Sequence, residues 1–227
     1  MIRAVIFDLD ETLYDESQFV RGGFRAVSAY VSSRMNISAE RCYRVLIATL
    51  EKYGRGKVFD IAMRELAEHD ERIIGELVDV YRQHEPELSL YPEVIGVLQD
   101  LRKSKVKLGL ITDGFERIQR RKIAALEIGE YFECMIISDE FGIDKRKPSV
   151  FPYKKAIEFL AVLPGESIYV GDNPSKDFIG AKKLGMHTVR IMRGAYKDVM
   201  LSEEYESDHR ITTLNDIGSV LQRLTHL

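Results

Sequence analysis

The 227-residue chain carries only two cysteines, Cys42 and Cys134. Their separation lacks metal-ligand spacing. Cys42 falls in a helical pattern and Cys134 opens a strand, so both read as reduced residues in or near the core. No apolar run reaches the roughly 18 residues of a membrane span. No basic block and no aromatic-basic interleaving stands out, and the net charge is only −3. That balance excludes any global pull toward nucleic acid or an anionic membrane. Repeats and low-complexity linkers are absent. Met1 leads straight into a predicted strand, leaving no room for a signal peptide. The expectation is a cytoplasmic protein in a reducing compartment. Hydrophobic residues make up 45% of the chain, enough for a sizeable core. The length suits one large domain, or one domain with an insert.

The chain is organised around Val5-Ile6-Phe7-Asp8-Leu9-Asp10-Glu11-Thr12-Leu13. The apolar start, with β-branched Val5 and Ile6, predicts a buried strand. Two carboxylates spaced i and i+2 follow, then a threonine. In open α/β sheets, ligands bind just beyond the carboxyl ends of the strands. Two aspartates at such an edge are costly to hold together without positive charge between them. A magnesium ion would supply it, with a phosphate ester as its companion guest. An acidic turn with a threonine N-cap reads the same when taken alone. Three further polar clusters, each after another predicted strand, favour the site.

Beyond Leu13 the pattern turns helical for some seventy residues. Val20, Phe24, Val27 and Val31 share one helix face. Ser38 reads as the N-cap of a second helix carrying Cys42, Val45, Leu46 and Thr49. Gly54-Arg55-Gly56 breaks it. A third helix carries Phe59, Ile61, Ala62 and Leu66. Asp70 reads as the cap of a fourth, with Ile73, Ile74, Leu77 and Val80 facing inward. Four short-looped amphipathic helices make a small bundle. Residues 15–88 therefore read as an inserted helical domain, and 1–14 with 89–227 as an α/β core. In that core, predicted strands at 106–111, 135–137, 167–170 and 188–191 alternate with helices near 94–101, 115–126, 149–160 and 175–184. Leu214, Ile217, Val220, Leu221 and Leu224 stripe a last helix. Such alternation predicts a doubly wound parallel, Rossmann-like sheet, with the four helices as an insert.

Taken together, the clusters resemble the haloacid dehalogenase superfamily of phosphohydrolases. Asp8, Asp10 and Thr12 match its first motif, D-x-D-x-T. Ile111-Thr112-Asp113-Gly114 matches the second. Gly171, Asp172 and Asp177 match the fourth, G-D-x-x-x-x-D. The resemblance implies a magnesium-dependent phosphatase of a small phosphate monoester. Its inserted helices would form a cap that closes over the active site. Asp8 would be the nucleophile, forming an aspartyl phosphate. Asp10 would protonate the leaving alcohol and then take a proton from water, with a pKa raised toward working pH by neighbouring carboxylates. Thr112 and the N–H groups of Asp113 and Gly114 would bind a phosphoryl oxygen. Magnesium would take Asp8, the Asp10 carbonyl and Asp172, with Asp177 nearby or behind them.

The third motif, a lysine before a helix, leaves two candidates. The K-P dipeptide selects Lys147. Spacing to Gly142 and Phe151 selects Lys145 without a gap, and that is the expectation, with Lys147 a solvated charge at the mouth. Asp10 argues against the closest alternative, a 2-haloacid dehalogenase-like hydrolase, because dehalogenases resemble this chain but lack the acid there. A non-catalytic binding or regulatory protein on the same scaffold is the other rival. It would be free to lose acids that here are all in place. For substrate, Thr112-Asp113-Gly114-Phe115 with Gln119 and Lys122 is similar to pyrimidine 5′-nucleotidase and N-acylneuraminate-9-phosphate phosphatase relatives. In the cap, Arg21, Arg25, Arg55 and Lys57 are candidates to meet the leaving group, against a plain reading as surface charges.

Overall fold

The computed structural model describes residues 1–66 and 71–225. The chain divides into two compact units, Met1–Glu16 with Leu88–Leu227, and Ser17–Glu87.

The first unit holds six strands: β1 (Ala4–Phe7), β2 (Lys107–Thr112), β3 (Cys134–Ile137), β4 (Ser167–Gly171), β5 (His187–Ile191) and β6 (His209–Ile211). They form one sheet in the order β3-β2-β1-β4-β5-β6, every pair parallel. All four residues of β1 are buried, as a central strand covered on both faces requires. The sequence pattern foreshadows five of these strands. It gives no hint of β6, whose three residues include one buried apolar side chain, Ile211, too few to show a period.

Register fixes the site. Phe7 stands opposite Leu110 of β2 and Val170 of β4. Asp8, Thr112 and Asp172 therefore leave the sheet at one edge. The chain runs from β1 out to β2 and β3 on one side and to β4, β5 and β6 on the other. That reversal makes the crevice where such sheets take ligands.

Helices α5 (Val94–Lys103), α6 (Glu116–Ala125), α7 (Phe151–Leu160), α8 (Ile179–Leu184) and α9 (Ile217–Thr225) flank the sheet, the first four helices of the chain belonging to the second unit. Ile6, Ile111, Tyr153, Ile157, Leu160, Tyr169 and Phe178 share a core cluster. Helix α8 begins later than its apolar pattern suggests. Asn173 intervenes: its side-chain oxygen accepts from the Ser175 amide at 3.0 Å, and its carbonyl from the Asp177 amide at 3.0 Å. Such local bonds compete with helix formation. Gly185 ends α8 with φ +83°.

The second unit is helical: α1 (Ser17–Arg34), α2 (Ala39–Tyr53), α3 (Val58–Leu66) and α4 (Glu71–Gln83). Ser38 caps α2, its hydroxyl accepting from the Arg41 amide at 3.3 Å. Val20, Phe24, Val27, Leu46, Ala62, Met63 and Leu77 form a core of its own. Helices α1 and α4 approach closely because Gly23 has no Cβ; one there would lie 2.4 Å from the Tyr81 ring. Asp70, the expected cap of α4, lies outside the described residues. Among the described residues, no helix is long and apolar enough to cross a membrane.

Candidate active site

Asp8 is the first residue past β1, and its amide still bonds to the Val170 carbonyl at 2.8 Å. It is 2% exposed. Its Oδ1 lies 2.8 Å from Lys147 Nζ. Its Oδ2 is buried with no hydrogen-bond partner among the described residues. Asp172, just past β4, likewise has a buried Oδ2 without a partner. Asp177 is fully engaged: Oδ1 takes Lys147 at 2.8 Å and Tyr169 Oη at 3.4 Å, and Oδ2 takes the Asn173 amide at 2.8 Å. Gly171 permits this packing, because a Cβ there would meet Asp177 Oδ2 at 2.5 Å. The three carboxylates present ligand atoms within 4.8 Å of one another.

Their charges conflict. Burial, with Asp177 nearby and despite Lys147, pushes Asp8 up to about 6. Burial, Asp177 and Asp8 push Asp172 up to about 9. Burial would raise Asp177 as well, but Lys147, Lys176 and the Asn173 amide hold it low. Burial opposes the charge on Lys147, yet Asp177 and Asp8 keep it firmly protonated. An unpartnered buried carboxylate oxygen is costly. Here two of them belong to carboxylates of one all-oxygen cluster, which suits a hard divalent cation.

The lysine expectation needs correcting. Lys145 lies in a 3-10 turn, Ile143–Lys145, is 39% exposed at the side chain, and pairs with Asp144 at 2.6 Å. Lys147 is the lysine on Asp8, wholly buried. Counting back from Phe151 assumed that the segment runs uniformly into the helix. The turn instead directs Lys145 outward. Arg146 is held by both oxygens of Asp139, at 2.5 and 2.6 Å. The Lys147 amide then bonds Asp113 Oδ1 at 3.2 Å, and its side chain enters the site.

Asp10 differs from expectation too. Tyr14 Oη donates to its Oδ1 at 2.5 Å, Lys122 Nζ reaches the same oxygen at 2.7 Å, and Gln119 Nε2 donates to Oδ2 at 3.0 Å. Burial would raise its pKa, but Lys122, Tyr14 and Gln119 outweigh burial and hold it down at about 2. The neighbouring carboxylates do not set its charge. The Asp10 partners were hidden in sequence, although Gln119 and Lys122 stand i, i+3 on α6 and so share a face.

The Thr112 hydroxyl is buried and accepts from Gln119 Nε2. The Asp113 carboxylate turns inward to Ser138 Oγ at 2.6 Å. The Gly114 amide donates to Asp139 Oδ1 at 3.3 Å, so it is already engaged. The remaining candidates lie in the helical unit. Arg21 and Arg25 line a cavity of about 400 Å³ with Gln18, Gly22, Glu85 and Glu87. Arg55 and Lys57 are exposed in the turn between α2 and α3.

The family model for haloacid dehalogenase-like hydrolases matches residues 5–191. The chain belongs to this family. It is 36% identical to a glyceraldehyde 3-phosphate phosphatase from Methanocaldococcus jannaschii, over 99% of both chains. It is 32% identical to a phosphoserine phosphatase from Thermus thermophilus, over 72% of this chain and 63% of that one. A solved haloacid dehalogenase (HAD) phosphatase from Thermococcus onnurineus superposes with a TM-score of 0.65 at 27% identity, covering 97% of this chain and 98% of the other. This HAD-like hydrolase is thus a phosphoric monoester hydrolase. The relatives carry the names of glyceraldehyde 3-phosphate and phosphoserine phosphatases. They do not support the narrower likeness of the Thr112–Lys122 stretch to pyrimidine 5′-nucleotidase and N-acylneuraminate-9-phosphate phosphatase.

Proposed function

We propose that this HAD-like hydrolase is a magnesium-dependent phosphatase of a small phosphate monoester, acting through an aspartyl phosphate on Asp8. The observation that carries the reading is that Asp8 and Asp172, carboxylates of one cluster, each keep a bare, buried Oδ2, with Lys147 on the other oxygen of Asp8. Asp8, Asp172 and the Asp10 carbonyl would hold magnesium, with Asp177 behind them on Lys147 and the Asn173 amide. Bound there, magnesium would offset the charge of the phosphoryl group as Asp8 approaches it. The Asp8 oxygen attacks phosphorus, and the bond from phosphorus to the ester oxygen breaks. Asp10 gives a proton to the departing alkoxide, and later draws one from the water that cleaves the acyl phosphate. The Thr112 hydroxyl and the Asp113 amide hold a phosphoryl oxygen, while Lys147 offsets charge throughout. Asp10 rests as a carboxylate, so it must be protonated once substrate is in place.

Glyceraldehyde 3-phosphate is the first substrate to test, because it names the relative that matches over 99% of both chains. In a panel with phosphoserine, phosphoglycolate, nucleotides and an acylneuraminate phosphate, it is expected to give the highest kcat/KM with magnesium. No turnover of any ester would overturn the phosphatase reading. The two buried free cysteines fit the reducing cytoplasm inferred from sequence.

Magnesium is expected to raise the melting temperature without any substrate. At a hundred times Kd, one-site binding adds about 2.7 kcal/mol, several degrees for a chain of this size. Asp172→Asn removes one of the two bare carboxylates, so most of that shift should vanish in a thermal melt. An undiminished shift would remove Asp172 from the ligand set.

A further inference from the structure

We infer that Lys122, with Tyr14 and Gln119, is a positioning residue that leaves Oδ2 as the proton-exchanging oxygen of Asp10. This rests on Asp10 being the acid-base group of the proposed reaction. The Asp10 carboxylate receives three donors, unequally shared. Oδ1 takes both Lys122 Nζ at 2.7 Å and Tyr14 Oη at 2.5 Å. Oδ2 takes only Gln119 Nε2, at 3.0 Å. A carboxylate oxygen has about two lone-pair sites, so Oδ1 is filled and Oδ2 keeps one open.

The clamp is built rather than incidental. The Lys122 side chain is 4% exposed, and Tyr14 is fully buried. A buried ammonium is costly unless its donors are used. Lys122 uses them on Asp10 and, at 3.7 Å, on Glu16. Gln119 Nε2 also donates to the Thr112 hydroxyl. One amide thereby joins the acid to the strand end that would bind the phosphoryl group. Helix α6 begins just after Thr112-Asp113-Gly114, so one short element sets both the phosphate side and the alcohol side of the bond that breaks. In the transfer step, Oδ2 carries the proton and gives it to the alkoxide oxygen as the bond to phosphorus breaks. In the hydrolysis step, the same oxygen takes a proton from water.

The test is the dependence on leaving group. A p-nitrophenolate leaves without a proton, whereas an alkoxide needs one. Dephosphorylation follows release of the alcohol, so kcat/KM reports the transfer step alone. With the full chain and saturating magnesium, Lys122→Met is expected to lower kcat/KM for an alkyl ester such as β-glycerophosphate by about a hundredfold or more, within the range of general acid catalysis. For p-nitrophenyl phosphate the loss should stay below about tenfold. Lys122→Arg should recover part of the alkyl activity alone. Tyr14→Phe, which keeps the ring, should show the same selectivity at smaller size, and serves if Lys122→Met does not fold. Equal losses on both esters, in whichever variants fold, would make Lys122 a mere counter-ion and overturn the inference. A wild-type protein inert to both esters would instead sink the phosphatase reading itself.

Discussion

Asp8→Asn is expected to abolish turnover, with kcat falling more than about a thousandfold, or ~4 kcal/mol of barrier. Only the carboxylate can become an acyl phosphate; Asp172, whose Oδ2 is also bare, would be taken up by magnesium, and the others nearby are engaged. Asp177 spends both oxygens on Lys147, Tyr169 and the Asn173 amide, and both Asp10 oxygens already take donors. The variant should fold. Asparagine keeps a side-chain oxygen for Lys147, and Lys147 keeps Asp177 as its counter-charge. It also relieves Asp172, whose pKa is raised by burial, Asp177 and Asp8 together. Without magnesium the melting temperature should therefore not drop. Steady-state rates on p-nitrophenyl phosphate and a thermal melt check both halves. Acid-quenched wild-type protein should yield a phosphorylated peptide containing Asp8, absent from the variant. Turnover within tenfold of wild type in Asp8→Asn would mean that another group, or water, attacks phosphorus.

Lys147→Ala should be nearly as damaging, whereas Lys145→Ala should be almost silent. Lys147 is the ammonium within 2.8 Å of both Asp8 and Asp177. Its loss leaves buried carboxylates facing one another. Breaking such a buried pair costs about 3–5 kcal/mol, so the melting temperature should fall as well as kcat. Lys147→Met fills the same volume without charge, and separates loss of packing from loss of charge. Measured per folded molecule by circular dichroism, kcat should fall at least a hundredfold in both variants, as loss of a charge-stabilising donor implies. Lys145 holds a solvent-exposed pair with Asp144, and exposed pairs contribute little to stability. Its alanine variant should stay within twofold of wild type in kcat. A large loss in Lys145→Ala with activity kept in Lys147→Ala would restore the ungapped alignment.

That reversal of lysines shows where sequence stops. Strand ends were legible because apolar runs with β-branched residues stop abruptly at Asp8, Thr112 and Asp172. A parallel sheet then brings such ends to one edge. The four-helix insert was legible from its 3.6-residue period, and its core holds Val20, Phe24, Leu46 and Leu77. Lys147 was not, because choosing it requires the 3-10 turn at Ile143–Lys145, and no period announces a turn of three residues. The low pKa of Asp10 was hidden for a different reason. Two of its three donors, Gln119 and Lys122, lie 109 and 112 residues further along the chain. Long-range hydrogen bonds leave no mark on local pattern.

The central place of β1 has a consequence during synthesis. Its neighbours are β2, beginning at Lys107, and β4, beginning at Ser167. Roughly a hundred residues separate β1 from the first of them, about 5–20 s of translation at ~5–20 residues per second. Throughout that interval an apolar segment leading into Asp8 has emerged before either flanking strand exists. The helical insert, by contrast, is complete at Glu87 and draws its apolar core from its own residues. On the ribosome the insert can therefore gather first, while the ribbon at the heart of the catalytic fold waits, and chaperones that hold short apolar segments would find Val5-Ile6-Phe7 in that window.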